Sequence, residues 1–385
     1  MIIYLSFIAP SHLSQFNLLY FYICRPEADV VKNITRDMIC EIIGKGCVED
    51  SLVSKTSRLK DLKKLISESK DVCMVGIYGL PGRGKTAIAR ALYDEISCQF
   101  EGASFLINIG EVSKKDGLCC LQERLFCDIL LGESRKIMFL RRNNLIESKF
   151  RTKRVLIVLD DEKQLKLLAG KHDWFGQGSR IIITSRDKRL LSRHKVDALY
   201  EPEELDYCEA LALLCHHALT EEQSPHCFFR HLNKIMIYCG HLPLALKVAG
   251  SFLRGKEDWQ WKVQLQNKES DFFRVSYNEL HDEEKDIFLD VACFFQGEYK
   301  DFVTKILEEH DFSAEHGVQV LSNRCLITIS EGKLWMDSSI QNMAWKIVRQ
   351  QARITSKSCR LWDHDEILHL LETNKVPSIY TLRCL

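Results

Sequence analysis

A glycine-rich loop that ends in lysine and threonine carries the strongest chemical signal in the sequence. Residues 79–86 read GLPGRGKT and fit the pattern G-x-x-x-x-G-K-[ST] at every fixed position. In such a loop the backbone N–H groups curl around phosphate oxygens, the lysine reaches the β- and γ-phosphates, and the hydroxyl ligates Mg²⁺. Lys85 and Thr86 are predicted to take these two roles. An apolar run at 73–78 precedes the loop and a helical pattern follows it, so a chance glycine turn explains the context poorly.

Acidic and basic side chains follow two later apolar runs. Asp160 and Asp161 come directly after VLIVL, and Arg186 follows IIITS. Asp160 is predicted to hold Mg²⁺ through water, because a carboxylate at a strand end beside a phosphate-binding loop suits that role. Asp161 is the predicted catalytic residue, which orients or deprotonates an attacking water; a helix N-cap is the structural alternative. Arg186 would sense a γ-phosphate or form a surface salt bridge, and the sequence leaves both open.

The elements that must position these groups alternate in type over residues 50–200. Continuous apolar runs, typical of strands buried on both faces, occur at 73–78, 104–107, 155–159 and 180–184. Helical spacing occurs at 57–69, 85–97 and 118–131. This alternation predicts an α/β P-loop NTPase domain with a doubly wound parallel sheet.

Beyond residue 205 the pattern is mainly helical. Helices are predicted at 206–220, 228–239, 243–254, 283–295 and 299–309. Residues 326–329 and 333–336, separated by Ser-Glu-Gly, predict a small β-hairpin among these helices. We therefore expect a helical bundle followed by a winged-helix domain.

The predicted organisation has six segments. They are an apolar leader of unclear role at 1–24, a linker helix at 25–50, the P-loop nucleotide-binding domain at 51–200, a helical domain at 201–270, a winged-helix domain at 271–355 and a C-terminal tail at 356–385. The leader has no Lys, Arg, Asp or Glu, but polar residues interrupt its apolar run. Membrane contact through this leader is the less favoured alternative to an irregular start.

Charge and cysteine content exclude several classes of function. Lys+Arg and Asp+Glu both number 53, so the chain has no net field for nucleic acid, and no nucleic-acid binding is expected. The 16 cysteines include no C-x-x-C, which favours reduced thiols and a cytoplasmic location. A zinc site is conceivable in one His/Cys-rich stretch, but its spacings fit no compact tetrahedral pattern, and helix residues are the preferred interpretation. These residues are Cys208, Cys215, His216, His217, His226, Cys227 and His231.

With these motifs assembled, the chain resembles the nucleotide-binding (NB-ARC) region of plant disease-resistance proteins, in the class with a Toll/interleukin-receptor domain and leucine-rich repeats. The resemblance runs from about residue 25 to 370 through ordered blocks: RPEA at 25–28, FEGASFL at 100–106, VLDD at 158–161, GSRIIITSR at 178–186, GHLPLA at 240–245 and DIFLDVACFF at 286–295. Neither a Toll-type domain nor leucine-rich repeats is recognised in the 385 residues.

The resemblance implies a molecular switch in plant defence signal transduction, closed with ADP, opened by exchange for ATP, and at most a weak ATPase. It implies ADP/ATP and Mg²⁺ as cofactors, and other immune-receptor subunits or signalling proteins as partners in a homo- or hetero-oligomer. Asp160 and Thr86 would hold the metal, Val53 would line the adenine pocket and Pro243 would lie by the adenine and ribose. The nucleotide-binding set is Val53, Gly79, Leu80, Pro81, Gly82, Arg83, Gly84, Lys85, Thr86, Ala87, Arg186 and Pro243.

Two departures from the family pattern bear on the switch. Ala87 stands where the family usually has a second Thr. Asp337 follows Trp335-Met336 where the family usually has the His that touches the ADP β-phosphate, and a carboxylate there would repel a diphosphate. The alternative function is therefore a degenerate NB-ARC interaction module with impaired nucleotide switching.

Overall fold

The computed structural model describes most of the chain after residue 56. The described residues are 57–67, 71–115, 117–130, 150–160, 168–220, 225–257, 260–261, 272–308, 313–355 and 360. The predicted leader and linker helix lie outside these ranges, as do Val53, Asp161 and nearly all of the predicted tail. The six predicted segment boundaries stay predictions.

Five parallel strands form the sheet of the first half, in the spatial order β2-β3-β4-β1-β5. Their bounds are β1 Cys73–Tyr78, β2 Gly102–Leu106, β3 Val155–Leu159, β4 Arg180–Ser185 and β5 Ala198–Tyr200. The central strands β3 and β4 are buried at every residue, which explains their unbroken apolar sequence. The prediction of a parallel α/β sheet is confirmed.

Helices cover both faces of this sheet. Their bounds are α1 Ser57–Ser67, α2 Lys85–Ile96, α3 Ile109–Lys115, α4 Leu118–Ile129 and α5 Lys188–His194. Successive strand residues point to opposite faces, so Met74 and Ile181 pack with α4 and α5, whereas Val75 and Ile182 pack with α1 and α2. The sheet is therefore doubly wound, as predicted.

The second half is helical apart from one hairpin. Its elements are α6 Tyr207–Ala218, α7 Pro225–Cys239, α8 Pro243–Leu253, α9 Phe272–Asn278, α10 Asp282–Cys293, α11 Lys300–Glu308, α12 Ala314–Asn323, β6 Thr328–Ser330, β7 Lys333–Trp335 and α13 Ser338–Thr355. Helices α6, α7 and α8 share one apolar core, and α10 to α13 share another with β7. This division matches the expected helical bundle and winged-helix domain.

The hairpin begins and ends differently from the prediction. β6 starts at Thr328, because the amides of Leu326 and Ile327 both donate to Leu321 O at the end of α12. Glu331 and Gly332 form the two-residue turn, with φ of 53° and 73°. Positive φ at both central residues matches the right-handed strand twist, so Ser330 belongs to the strand rather than to the loop.

Among the described residues, no helix is both long and apolar enough to cross a membrane.

Candidate functional site

The sheet brings three of the predicted motifs to one edge. β1, β3 and β4 are adjacent and parallel, with Tyr78 opposite Ser185 and Leu159 opposite Ile183. Their carboxyl ends therefore lie together, and the segments that follow carry the P-loop, Asp160 and Arg186. This edge is where open α/β sheets bind ligands.

The P-loop has the backbone that its glycines allow. Gly82 has φ of 73°, and Gly84, at the N-cap of α2, has φ of 84° and ψ of 19°. Side chains rarely adopt this left-handed region, so glycine is required where the loop turns into the helix. Lys85 Nζ donates to the carbonyl oxygens of Gly79 and Leu80, each at 2.9 Å. The loop thus wraps around its own lysine, with the ammonium inside the turn.

Asp160 joins three segments through one carboxylate oxygen. It is 2% exposed, and its Oδ1 accepts hydrogen bonds from Thr86 Oγ1 at 2.7 Å and from Thr184 Oγ1 at 2.6 Å. Carboxylate and hydroxyl oxygens are the donors that Mg²⁺ prefers, so these residues fit a hydrated magnesium ion. Thr184 was missed by the sequence reasoning. Only its position could have indicated its role, because Thr184 lies at the end of the apolar run that forms β4, the neighbour of β3 in the sheet.

The Arg83 side chain contacts the segment that follows β5. Its Nη1 and Nη2 donate to Glu201 and Glu204, each at 2.9 Å. Both carboxylates belong to the connection between β5 and α6. Arg83 therefore ties the P-loop to the chain that leads into the helical bundle, and its side chain is engaged in these ion pairs.

The N-terminus of α8 lies against the P-loop. Gly240 and His241, which lie just before α8, both have φ of 56°. The amide of Leu244 donates to Gly82 O at 3.3 Å. A Cβ built on Gly84 would lie 3.8 Å from Pro243 Cγ. The structure thus brings Pro243, predicted from the GHLPLA block, next to the phosphate-binding loop.

The remaining predicted residues differ in exposure. Leu80 is 61% exposed, and Ala87 and Arg186 are also exposed at this edge. Pro81 is half-buried within the loop. Arg186 follows β4 directly, one residue beyond the pairing of Tyr78 with Ser185. Its predicted role as a γ-phosphate sensor stays a prediction, and so do the roles of Val53 and Asp161, which lie outside the described residues.

Asp337 has a local partner in the winged-helix domain. Its Oδ1 accepts a hydrogen bond from the amide of Ser339 at 2.7 Å, at the start of α13. The preceding Met336 is held by Gln296, which donates to its carbonyl at 2.9 Å and accepts from its amide at 3.0 Å. Asp337 therefore caps a helix, a role that favours a carboxylate and explains what this residue does here.

The zinc alternative is not tested, because the side chains of Cys208, His226 and Cys227 lie outside the described residues. Among the described side chains, no group of three or more His, Cys, Asp or Glu is placed to hold a metal ion. Cys215 is a residue of α6 and is buried in the apolar core of the helical bundle, which agrees with its interpretation as a helix residue.

Comparison with known families identifies two regions of the chain. Residues 55–224 match the NB-ARC domain, and residues 281–352 match the winged-helix domain of Roq1-like disease resistance proteins. Among solved structures, a signal transduction ATPase with a tetratricopeptide repeat sensor from Pyrococcus horikoshii is 18% identical with a TM-score of 0.49, covering 84% of this chain and 46% of that one.

Plant disease resistance proteins are similar over most of this chain. RPV1 of Vitis rotundifolia is 42% identical over 358 residues, which are 88% of this chain and 25% of that protein. RUN1 of the same species is 41% identical, with 88% and 26% covered. The TMV resistance protein N of Nicotiana glutinosa is 34% identical, with 91% and 32% covered.

The chain thus spans about a quarter to a third of the length of these relatives. The NB-ARC match contains the P-loop, Asp160 and Arg186, and the winged-helix match contains the hairpin and Asp337. Motifs, fold and sequence similarity agree: the chain belongs to the NB-ARC family of plant disease resistance proteins, in which it spans the nucleotide-binding and winged-helix regions.

Proposed function

We propose that this chain is an ADP- and ATP-binding switch of plant immune signalling, located in the cytoplasm, with slow ATP hydrolysis at most. The observation that carries the proposal is the cluster of Lys85, Thr86 and Asp160 at the carboxyl edge of the sheet. The cluster combines an ammonium group, which would bind a phosphate chain, with two side chains whose oxygens would ligate its metal ion.

The roles of the P-loop residues follow from their contacts. Backbone amides of the loop and the N-terminus of α2 would bind phosphate oxygens. Lys85 would exchange its two carbonyl acceptors, Gly79 and Leu80, for phosphate oxygens. Thr86 and Asp160 would hold Mg²⁺, which supplies charge neutralisation at the phosphates.

The other site residues act on the nucleotide from outside the loop. Arg186 would sense the γ-phosphate, Asp161 would orient water for slow hydrolysis, and Val53 and Pro243 would line the adenine side. Because Leu244 contacts the loop and Pro243 lies next to it, a change in the loop would reach the helical bundle directly. That coupling is what a switch needs, and the opened form would associate with further immune-receptor subunits or signalling proteins.

One observation supports the second candidate, a degenerate interaction module. Asp337 stands where the family usually has a phosphate-contacting His, and the structure gives its carboxylate a helix-capping role. If no other residue supplies the lost contact, the closed ADP form is weakened.

The first test is the nucleotide carried by the purified 385-residue chain. The protein is denatured, and released ADP and ATP are identified and quantified for the wild type and for Lys85→Ala. We expect near-stoichiometric ADP in the wild type and its loss in the variant, because a phosphate-contacting cation is removed. Lys60→Ala, which removes an exposed lysine of α1, is the matched control and should retain the nucleotide.

The outcomes separate the two candidates. Predominant ATP in the wild type would indicate a switch biased toward the open form. Absence of both nucleotides, together with no rise in unfolding temperature on adding ATP and Mg²⁺, would overturn the switch and favour the interaction module. A bound ligand at 100 times its Kd stabilises a protein by about 2.7 kcal/mol, so the shift is easily measured.

A further inference from the structure

A cysteine thiol meets a base and a hydroxyl where the winged-helix domain contacts the helical bundle. Cys325 follows α12, and its Sγ lies 3.1 Å from Ser251 Oγ of α8 and 3.8 Å from His217 Nδ1 of α6. Ser251 Oγ also lies 3.4 Å from His217 Nδ1, so the three side chains form a closed polar cluster. None of them belongs to the nucleotide site.

The end of α12 directs this side chain. Cys325 has φ of 55°, in the left-handed region, and its amide donates to Ser322 O at 2.9 Å. This is the helix-ending position that glycine usually occupies. A residue other than glycine pays roughly 1–2 kcal/mol for the left-handed conformation. The Cys325 residue is half-buried.

The charged and titratable groups that face Cys325 favour the thiolate. They are His217 of α6 and Lys247 of α8. Burial alone would raise the pKa of Cys325, but the hydrogen bond and charge of His217, the Ser251 hydroxyl and the charge of Lys247 together lower it. More of this thiol is therefore ionised at neutral pH than of an ordinary cysteine.

Other cysteines of the same two cores behave in the opposite way. Burial raises the pKa of Cys215, Cys239 and Cys293 to about 12 in each case. Cys293 is half-buried like Cys325, and it lies in the same winged-helix domain. The exposure and location of Cys293 and Cys325 are thus comparable, so the lower pKa of Cys325 comes from its polar partners.

We propose that Cys325 is a peroxide-reactive site whose thiol is reversibly oxidised to a sulfenic acid. The thiol proton passes to His217, and the thiolate sulfur attacks one oxygen of a hydroperoxide. The S–O bond forms as the O–O bond breaks, and the leaving hydroxide or alkoxide takes the proton from the imidazolium. Sulfur is oxidised by two electrons and the peroxide is reduced to water or an alcohol. Two equivalents of a small thiol reverse the change, giving a disulfide and water.

The added oxygen has a structural consequence. Sγ is within contact distance of Ser251 Oγ and His217 Nδ1, and the conversion of the thiol to a sulfenic acid removes the S–H group and adds an oxygen at these contacts. In the proposal, this change weakens the contacts of Cys325 with α6 and α8 at the junction between the winged-helix domain and the helical bundle. This effect does not depend on the proposed nucleotide chemistry.

The test is the pH dependence of alkylation at each cysteine of the full chain. Iodoacetamide is added at a series of pH values, and the rate at each site is read by mass spectrometry. We expect Cys325 to react with a midpoint below that of the urea-unfolded chain, and Cys293 to react with a midpoint above it. His217→Asn should slow Cys325 at pH 7 by about tenfold for each unit by which the thiol pKa rises.

A second variant keeps the proposal testable if His217→Asn fails to fold. Lys247→Met keeps the apolar stem and removes the charge, so it should also move the midpoint upward. Cys293→Ser is the matched control and should leave the Cys325 midpoint unchanged. An unshifted Cys325 midpoint in the wild type, or variants that change only the unfolding temperature, would reduce the cluster to a packing role.

Oxidation is read separately with hydrogen peroxide and dimedone, which traps sulfenic acids. We expect the adduct on Cys325 to form faster than on the exposed Cys98 and Cys127. Adducts confined to exposed cysteines would show that access alone governs reactivity, and would overturn the proposal.

Discussion

Two of the contacts between the nucleotide-binding domain and later parts of the described chain differ in kind, one at the P-loop and one at the hairpin. At the P-loop junction, Leu244 packs on Gly82 and its amide bonds to the loop backbone. At the hairpin junction, Arg124 of α4 donates from Nη2 to both carboxylate oxygens of Glu331, at 2.9 and 2.8 Å. At the P-loop junction, Leu244 is packed closely against the loop backbone. The hairpin junction is an ion pair between two side chains that are 41% and 46% exposed.

Close packing and an exposed ion pair would respond differently to a change at the nucleotide site. A packed backbone contact tolerates almost no change in shape, so the P-loop and α8 move together or clash. An exposed ion pair contributes only about 0.2–1 kcal/mol, and salt screens it. In the proposed switch, the first junction would therefore transmit changes at the loop to α8, whereas the second would favour one position of the winged-helix domain and would be easily released.

The largest effect should come from filling the space at the P-loop junction. A Cβ on Gly82 would lie 3.0 Å from Leu244 Cβ, at a φ of 73°. Gly82→Ala should destabilise the chain by about 2–5 kcal/mol, the sum of left-handed strain and overpacking. Denaturant unfolding measures this loss.

Gly255→Ala provides the control for that prediction. Gly255 has a similar φ of 74°, but a Cβ there meets nothing within 4 Å. It should therefore cost only the strain, about 1–2 kcal/mol. Equal losses for both variants would mean that the loop and α8 are not tightly packed, and the contrast between the junctions would disappear.

An intermediate effect is expected at Asp337, which tests whether the winged-helix domain also reaches the nucleotide. Asp337→Ala should cost about 0.5–2 kcal/mol because it removes the cap of α13, whereas Asp337→Asn should be nearly neutral because Asn also caps. Thermal unfolding and ADP affinity are measured for both. Altered ADP affinity in the Asn variant would reveal a role at the phosphates beyond the cap.

The smallest effect is the coupling between Arg124 and Glu331. A double-mutant cycle with alanine at both positions should give about 0.2–1 kcal/mol, and this coupling should shrink in 1 M salt. The pair between Arg151 and Asp173, 4.0 Å apart within the nucleotide-binding domain, is the control cycle and should give less.

The same cycle sharpens the comparison when it is repeated with different nucleotides. In the proposed switch, the coupling should be present with ADP and lost with a non-hydrolysable ATP analogue, because opening would separate the hairpin from α4. A coupling that is unchanged by nucleotide would mean that the hairpin junction is a fixed contact and takes no part in switching.

Much of the fold was predictable because local signals were strong. The apolar runs at β1 and β3 have the bounds that the sequence predicts. β5 was missed because it has three residues at the edge of the sheet, of which only Tyr200 is buried, too few for a periodic pattern. The helix α13 was also missed, although Ile340, Met343 and Ile347 repeat at helical spacing and are buried.

The site was predictable only where its chemistry is local in sequence. The P-loop residues follow one another, so the motif alone indicates their place. Thr184 depends on which strands are neighbours, and the partners of Arg83 depend on where β5 leads the chain. Arg124 and Glu331 are 207 residues apart, and nothing in either local sequence indicates the other.

The contacts of Asp160 also bear on how the chain folds. Its carboxylate joins residues that are 74 positions away, at Thr86, and 24 positions away, at Thr184. Such long-range contacts require closure of large loops, so they form only after β1, β3 and β4 have paired. A folding intermediate with separate strands would hold no partial nucleotide site. Ligand competence should therefore arise in the final, slow step of folding, and added nucleotide should slow unfolding far more than it speeds folding.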